Sequence, residues 1–429
     1  MSKLKVLVVG ASVAGPTAAY WLAKAGATVT VIERFPKLRT GGQNIDIRTA
    51  GVTVMRRTPG MEAAVRAKTT RMDGMSWVDT TGQRYGTIRP TGNPDQQSLI
   101  SEYEIFRGDL AQILYDMTSD NENINYHFGE QVVSIQQNNG TDNGPITVEF
   151  ANGLPSTQYD LVVACDGATS RTRAIGLNCG IRDYIHPTNS WAAYFSIPQD
   201  LLQGSTIAQG YSAPGGRFMG IGPDPSSATI NRVGLLSFPR STNTSTDSAS
   251  FSSFRTAVQQ NDNTTLKQYV ANHYRNAGWI TDSVLTHMLS SSDFYASEIV
   301  QVKVPSIYKG RFVLVGDAGY APGPTGGGTT LALAGAYVLA GEIAKHKGDI
   351  DAGLAGYEKA MRPIITDLHK IPPGVSTIMA PQTEWGIWIR NNIFWLITSS
   401  GIIEFAQKYL GGAFASSEKH KLEEYEWLR

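Results

Sequence analysis

Lys5 to Val9 reads KVLVV, a run of aliphatic residues with no polar alternation, and such a run fits a strand buried on both faces of a parallel sheet. It stops at Gly10. From Val13 to Ala25 small and apolar residues recur at helical spacing, VAGPTAAYWLAKA, and Gly26 stands where a left-handed cap ends a helix. Thr28 to Ile32, TVTVI, is a second strand running into Glu33 and Arg34. A strand, turn, helix and strand within about 30 residues is the context a dinucleotide fingerprint requires.

The turn itself is Gly10, Ala11, Ser12, Val13, Ala14, Gly15, so it is G-x-S-x-x-G with serine in place of the middle glycine. Gly10 permits the tight turn and Gly15 lets the helix lie close to the strand. Ser12 is small, and its hydroxyl adds a donor beside the free backbone N–H groups at the positive end of the helix. Glu33 lies 18 positions after Gly15, near the offset of the acid that takes a ribose hydroxyl pair. An acid there disfavours a 2′-phosphate.

At 429 residues the chain exceeds one ordinary domain. Its 37 basic and 37 acidic residues balance, with no basic run, which argues against nucleic acid as a main partner. Cys165 and Cys179 provide neither a disulfide framework nor a C-x-x-C metal spacing, so a reducing, cytoplasmic setting is expected. MSKLKVLVV leads directly into the first strand and leaves no room for a signal peptide. The tryptophan-rich stretch from Trp385 to Phe405 is interrupted by Arg390, Asn391 and Asn392, so it reads as a helix packed on the body rather than a membrane span. Membrane contact is not expected.

Further along, Gly41 to Arg48 reads GGQNIDIR, a glycine pair leading into a short strand. An ordinary hairpin and a backbone approached by something flat both fit it. Thr81 and Gly82 mark a turn between two strands. A helix starts near Arg107, and a basic residue at that end opposes the helix dipole, which points either to an anionic neighbour or to a solvated side chain. Asn125 to Phe128, Gln131 to Gln137 and Ile146 to Phe150 alternate as short strands. Asp160 to Cys165 is a second buried run, ending in Asp166 and Gly167 at the position where open α/β sheets take ligands.

From about Gly180 to Ser297 no comparable unit recurs. Trp191 to Ile197 and Asn231 to Phe238 read as strands, Gly210 to Gly222 is dotted with Gly and Pro, and Ser241 to Ser253 reads as a Ser/Thr-rich loop. The expectation is a mostly antiparallel sheet inserted into the first domain. A third buried run, Arg311 to Val315, leads through Gly316 and Asp317 to a Gly326 to Thr329 helix start with several bare N–H groups, and a long helix follows to His346.

Three buried strands, each entering a glycine-containing turn, occur in the order GASVAG with Glu33, CDGATSR, and VGDAGYAPGPTGGGTT. With GGQNIDIR and the helix opening FRGDLAQIL, they resemble the class A, single-component FAD-dependent monooxygenases of the aromatic hydroxylase type. The branch with tetracycline-inactivating and natural-product tailoring enzymes is the most similar. The resemblance implies an α/β fold: a Rossmann-like FAD-binding domain of residues 1–74, 104–178 and 298–370, an inserted substrate-binding β-sheet domain of 75–103 and 179–297, and a C-terminal helical segment, 371–429, bridging the two.

It also implies roles. Gly10, Ala11, Ser12, Ala14 and Gly15 would hold the FAD pyrophosphate, Glu33 and Arg34 the adenosine ribose, and Arg107 the diphosphate and ribityl region. Asp166 and Gly167 match a motif associated with FAD and a transient pyridine nucleotide. Gly316, Asp317 and Pro324 would lie along the ribityl chain, and Gly327, Gly328 and Thr329 would bring a helix start to the flavin ring. Gln43 and Asp46 would line the isoalloxazine. The implied reaction is reduction of FAD by NADPH or NADH, capture of O2 as a C4a-hydroperoxide, and transfer of one oxygen, as hydroxylation, epoxidation or Baer-Villiger insertion, to an aromatic or polyketide-like small molecule. Arg48, Tyr194, Tyr211 and Arg217 are the candidates for assisting it, with His186 behind them. An FAD oxidase, dehydrogenase or redox-neutral cyclase is the alternative on the same frame. A monomer or homodimer is expected.

Overall fold

A computed structural model of the protein describes residues 3–39, 41–70, 72–93, 100–137, 144–238, 245–371, 374–400 and 420–426. The chain opens with β1 (Lys5–Val9), α1 (Ala14–Lys24), β2 (Thr28–Glu33) and β3 (Asn44–Asp46). Next come α2 (Ala50–Arg57), α3 (Met61–Ala67), β4 (Gly74–Val78), β5 (Arg84–Ile88), β6 (Glu104–Phe106) and α4 (Arg107–Asp116). The strands β7 (Ile124–Phe128), β8 (Val132–Gln137), β9 (Ile146–Phe150), β10 (Thr157–Tyr159) and β11 (Leu161–Ala164) precede α5 (Arg171–Leu177).

The middle of the chain carries β12 (Ile185–Ile197), β13 (Ile207–Ala213), β14 (Arg217–Asp224) and β15 (Ser227–Ser237), then α6 (Ser245–Gln260), α7 (Asn263–Tyr274) and α8 (Thr281–Ser290). After β16 (Tyr295–Val302), β17 (Tyr308–Lys309) and β18 (Phe312–Leu314) come α9 (Asp317–Tyr320), α10 (Gly328–Lys345), α11 (Ile350–Leu368), α12 (Val375–Met379) and α13 (Glu384–Ser399).

The apolar runs of β1, β11 and β18 become neighbours in a six-stranded sheet, ordered β17-β18-β11-β1-β2-β7 and parallel except for the β17 edge. Each of these three strands is buried on both faces, because helices cover both sides of a parallel sheet. α10 is almost wholly apolar because it is the central covering helix, buried from Thr329 to Ile343. The two glycines before β3 do not open a local hairpin: β3 pairs antiparallel with β6, about sixty residues further on, Asn44 opposite Phe106 and Asp46 opposite Glu104.

The second sheet has seven strands in the order β16-β12-β15-β14-β13-β4-β5, antiparallel except for the β13–β4 pair. β16 runs across residues 297 and 298, so the sheet does not end at the boundary expected from sequence. One face lies under α6, α7 and α8, with Trp191, Ala193, Phe195, Met219, Leu235 and Phe254 in the shared core. These helices correct the sequence reading of Ser241 to Ser253 as a loop: from Ser245 the chain is helical. Phe251, Phe254 and Ala257, spaced three apart, bury one side, and the serines and threonines around them hid that period.

α13 lies against the opposite side of the second sheet, at β5 and β13. Arg390 on this helix donates to Ser212 Oγ at 3.0 Å and to the carbonyls of Ile378 and Met379, while Trp385, Trp388, Trp395 and Leu396 face outward. The Trp385–Phe405 helix expected from sequence is thus present to Ser399, and residues 401–405 lie outside the described residues. No helix among the described residues is long and apolar enough to cross a membrane.

Arg173, 0 % exposed, pins the β11 turn to the start of α9 by donating to the carbonyls of Ala168, Ala318 and Ile181 at 3.0, 2.7 and 2.8 Å. Arg173→Met strips one buried and two part-buried carbonyls of their donor and removes a buried side chain's packing. The expected loss is about 3 kcal/mol of stability, read as a lower urea midpoint.

Candidate active site

Register places the three motif turns at one rim. Val9, Ala164 and Leu314 lie side by side on β1, β11 and β18, so Gly10, Asp166 and Gly316 follow at the same carboxyl edge of the sheet. Two glycines are sterically required there. Gly10 has φ 108°, and a Cβ on it would stand 2.7 Å from the Cys165 carbonyl oxygen; a Cβ on Gly15 would lie inside the Gly10 carbonyl oxygen. Gly316 approaches Ala14, where a Cβ would stand 3.0 Å from the alanine methyl.

Four charged groups from distant parts of the chain meet above that rim. Arg107, at the start of α4, donates through Nη2 to Ser12 Oγ at 2.7 Å. Burial pulls its pKa down, while Tyr295, Asp317 and Glu33 lie close enough to oppose that shift and Arg39 adds to it. Asp317 is exposed toward the rim and its carboxyl makes no hydrogen bond among the described residues; the protein packed around it pushes the carboxyl up, with Arg107 offsetting part of the rise. Glu33 accepts from the Ala11 N–H at 2.9 Å and from the Phe35 N–H at 3.1 Å, so it already closes the first turn. The Arg107 N–H donates to the Gln43 carbonyl at 2.9 Å, and Gln43 Oε1 is buried without a partner. Gly328 sits with its missing Cβ 3.5 Å from Asp317 Oδ1, bringing the α10 start to the same place.

The remaining expected residues divide. Gly167, φ 87°, adjoins open space, Pro324 and Gly327 lie along the loop into α10, and Thr329 lies in its first turn. Asp166 is spent locally: Ser170 Oγ donates to one carboxylate oxygen and the Thr172 N–H to the other, which caps α5. Arg34 is exposed, its guanidinium 4.8 Å above the Phe35 ring.

Beside the rim, the β3–β6 ribbon sets Asp46 opposite Glu104, with Arg48 bonded to Asp46 at 3.0 Å and the Asn44 amide donating to Glu104. Burial, reinforced by Asp46, pushes the Glu104 carboxyl up to about 7 against the pull of Asn44 and Arg48. A carboxyl held protonated in the fold contributes fully below the ordinary carboxylate range, and that contribution is lost as pH rises through about 7. Glu104→Gln therefore raises the urea midpoint at about pH 8, by of order 2 kcal/mol, and leaves it unchanged at about pH 4.

The four candidates for assisting the reaction fall on two faces. Arg48 lies at the ribbon, its carbonyl accepting from Thr330 Oγ1 at 2.9 Å, and Tyr194 stands on the face of the second sheet turned away from the helices. Tyr211 and Arg217 are on the other face: the Tyr211 hydroxyl donates to the Ala277 carbonyl at 2.5 Å, and Arg217 donates to the carbonyls of Pro214 and His273. His186 is exposed on β12.

Sequence reading missed Tyr295 and Arg39. Tyr295 pairs with Tyr194 across β12 and β16, and Arg39 lies 5.1 Å from its ring centroid. Burial would raise the Tyr295 hydroxyl, but Arg107 and Arg39 bring it below the usual phenol range. Neither residue belongs to a motif, and only the long-range pairing of β16 brings them in.

The chain matches the family model described as FAD binding domain over residues 3–370. It is 33% identical over 424 residues to FAD-dependent monooxygenase asL4 of Sarocladium schorii, covering 92% of each chain. It is also 33% identical over 386 residues to a flavin-dependent monooxygenase of Legionella longbeachae, covering 90% of this chain and 92% of the other. The crystal structure of tetracycline destructase Tet(51) superimposes with a TM-score of 0.74 at 26% identity, over 99% of this chain and 100% of that one.

Proposed function

The chain belongs to the FAD binding domain family and is an FAD-dependent monooxygenase acting on small molecules; from that premise we propose that it draws electrons from NADPH or NADH and inserts one atom of O2 into an aromatic or polyketide-like substrate. The observation that carries this reading is the convergence of Ser12, Arg107, Asp317 and the α10 start over one sheet edge. A half-buried guanidinium without a bonded carboxylate fits a diphosphate, and the orphaned Gln43 oxygen fits a ring N–H or ribityl hydroxyl.

In this reading Gly10 to Gly15 and Arg107 grip the diphosphate, Glu33 and Arg34 serve the ribose, and Asp317 takes ribityl hydroxyls. Gly327, Gly328 and Thr329 point bare N–H groups and the positive helix end at the ring, favouring negative charge there. FAD, once bound, supplies hydride acceptance and oxygen transfer. The protein's own groups orient it, keep water out and hold protons, with Tyr295 beside Arg107 and the Asp46–Glu104 pair on the neighbouring ribbon. Tyr194 faces the substrate side, whereas Tyr211 and Arg217 support the sheet from behind. The C-terminal segment spans from the second sheet, at Arg390, back to α10, where the Tyr425 hydroxyl donates to Glu342 at 2.7 Å.

The test is turnover under 18O2 with NADPH and a panel of phenols and polyketide-like aromatics, read by mass spectrometry. A product carrying one heavy oxygen is expected. Oxidised product without the label, or label arriving only from heavy water, contradicts oxygen insertion.

A further inference from the structure

Among the described residues, large apolar side chains left in solvent gather on α13 and the α12 turn before it: Trp385, Trp388, Ile393, Trp395 and Leu396, with Ile378, are 52 to 71 % exposed. The other side of the same helix is fixed. Arg390 and Asn391 are buried, the Phe394 ring centroid lies 4.9 Å from that of Trp77, and Gly86 on β5 leaves room for Thr398. A helix pinned on one face and apolar on the other calls for a second apolar surface. At such exposures the outward face offers about 700 Å² per chain, above the roughly 300–600 Å² of a monomer's largest patch and near the roughly 800 Å² per partner of a standard interface.

The spacing on this face selects the partner. Trp385, Trp388, Asn392, Trp395 and Ser399 follow one another at intervals of 3, 4, 3 and 4, the seam repeat of a helix that packs along another helix. Asn392 is at the centre, its amide donating to the Trp388 carbonyl at 2.8 Å. A single amide in an apolar seam fixes register, because it is best met by the same group from the facing helix. Around Asn392 the face is complementary to itself. In an antiparallel pair with a two-fold axis there, Trp388 lies beside Leu396, four residues to either side, and Trp385 beside Ser399, seven to either side, so each large ring meets a smaller group. Charge disfavours a lipid surface. Between Trp385 and Ser399 the one charged residue is Arg390, and its guanidinium turns inward to Ser212 Oγ and two carbonyls, whereas helices that lie on membranes carry Lys and Arg on their polar face. Self-pairing brings no like charges together.

We propose that α13 is the seam of a homodimer, packing antiparallel on α13 of a second copy of this chain, with Asn392 of the two copies facing each other at the axis. The pairing covers the three outward tryptophans of each chain and does not depend on the reaction carried out at the flavin.

The test uses the FAD-loaded full chain in sedimentation equilibrium from about 1 to about 50 µM. The mass of two 46.5 kDa chains is expected across that range. Trp388→Glu sets two carboxylates into the seam and should weaken the pairing at least about 100-fold with FAD content unchanged. Asn392→Cys should give a disulfide-linked pair on mild oxidation, because the axis brings the two positions together. Trp385→Cys, about 10 Å from the axis along the helix, should not. The parent chain, with its own Cys165 and Cys179, is the blank. A single-chain mass throughout overturns the seam; should the tryptophan emission of that single chain shift with phosphatidylcholine–phosphatidylglycerol vesicles, a lipid surface is the occupant instead. A dimer that Trp388→Glu leaves intact also overturns it, as does a link through position 392 that fails to form or forms no faster than one through 385.

Discussion

Arg107→Met is expected to yield a protein that loses its yellow colour on dialysis. The side chain is half-buried, hydrogen-bonded only to Ser12 Oγ among the described residues, and set between Asp317, Glu33 and Tyr295 rather than in a tight ion pair. Such a cation is held in place at a desolvation cost that a diphosphate would offset. Removing it takes away a charge-assisted bond of about 1.5–3 kcal/mol, so FAD affinity should fall by roughly 10- to 150-fold in a fluorescence titration. Arg107→Lys keeps the charge but not the planar fork and should fall between. A methionine variant that purifies with a full complement of FAD would remove Arg107 from the cofactor site.

Gly15→Val should be more damaging still, because it acts on the fold and the site together. The added Cβ would lie inside the Gly10 carbonyl oxygen, so α1 must back away from β1. That movement opens the α1 packing in the main core, where Ala18, Ala19 and Trp21 are buried, and displaces the turn that Arg107 and Glu33 hold. A cost of about 3 kcal/mol or more and complete loss of FAD are expected. Gly26→Ala is the control. It carries only the strain of φ 95°, with nothing within 4 Å of a new Cβ, and should cost about 1 kcal/mol with FAD retained. Equal losses in the two variants would show that the cost lies in backbone strain and not in the close approach of helix to strand.

What could be read from sequence was whatever is encoded locally. β1, β11 and β18 announce themselves as unbroken aliphatic runs because both of their faces are buried, and each glycine turn follows directly in the chain. Arg107 was legible as a basic residue at an unfavourable helix end, which pointed either to an anionic neighbour or to a solvated side chain; Asp317 and Glu33, at the ends of other elements, lie near it. Long-range pairing was not legible. The β3–β6 ribbon joins segments sixty residues apart, and nothing in GGQNIDIR marks it as paired with EIF rather than with its own continuation.

The second sheet hid most. Its strands alternate, but which parity faces the cleft depends on where α6 to α8 lie, and α6 was concealed by its serines and threonines. Tyr211 and Tyr194 are therefore equivalent as letters and opposite in space. Gly210, Gly220 and Gly234 likewise look like separate signals along the chain until antiparallel register sets them side by side.

FAD content is the measurement that bears most directly on the account. The purified chain is denatured, and the released chromophore is identified chromatographically and quantified against protein. One FAD per chain is predicted, because Glu33, Ser12, Arg107 and Asp317 surround a single site. A protein that stays colourless after reconstitution with FAD, or that retains only FMN, would contradict it.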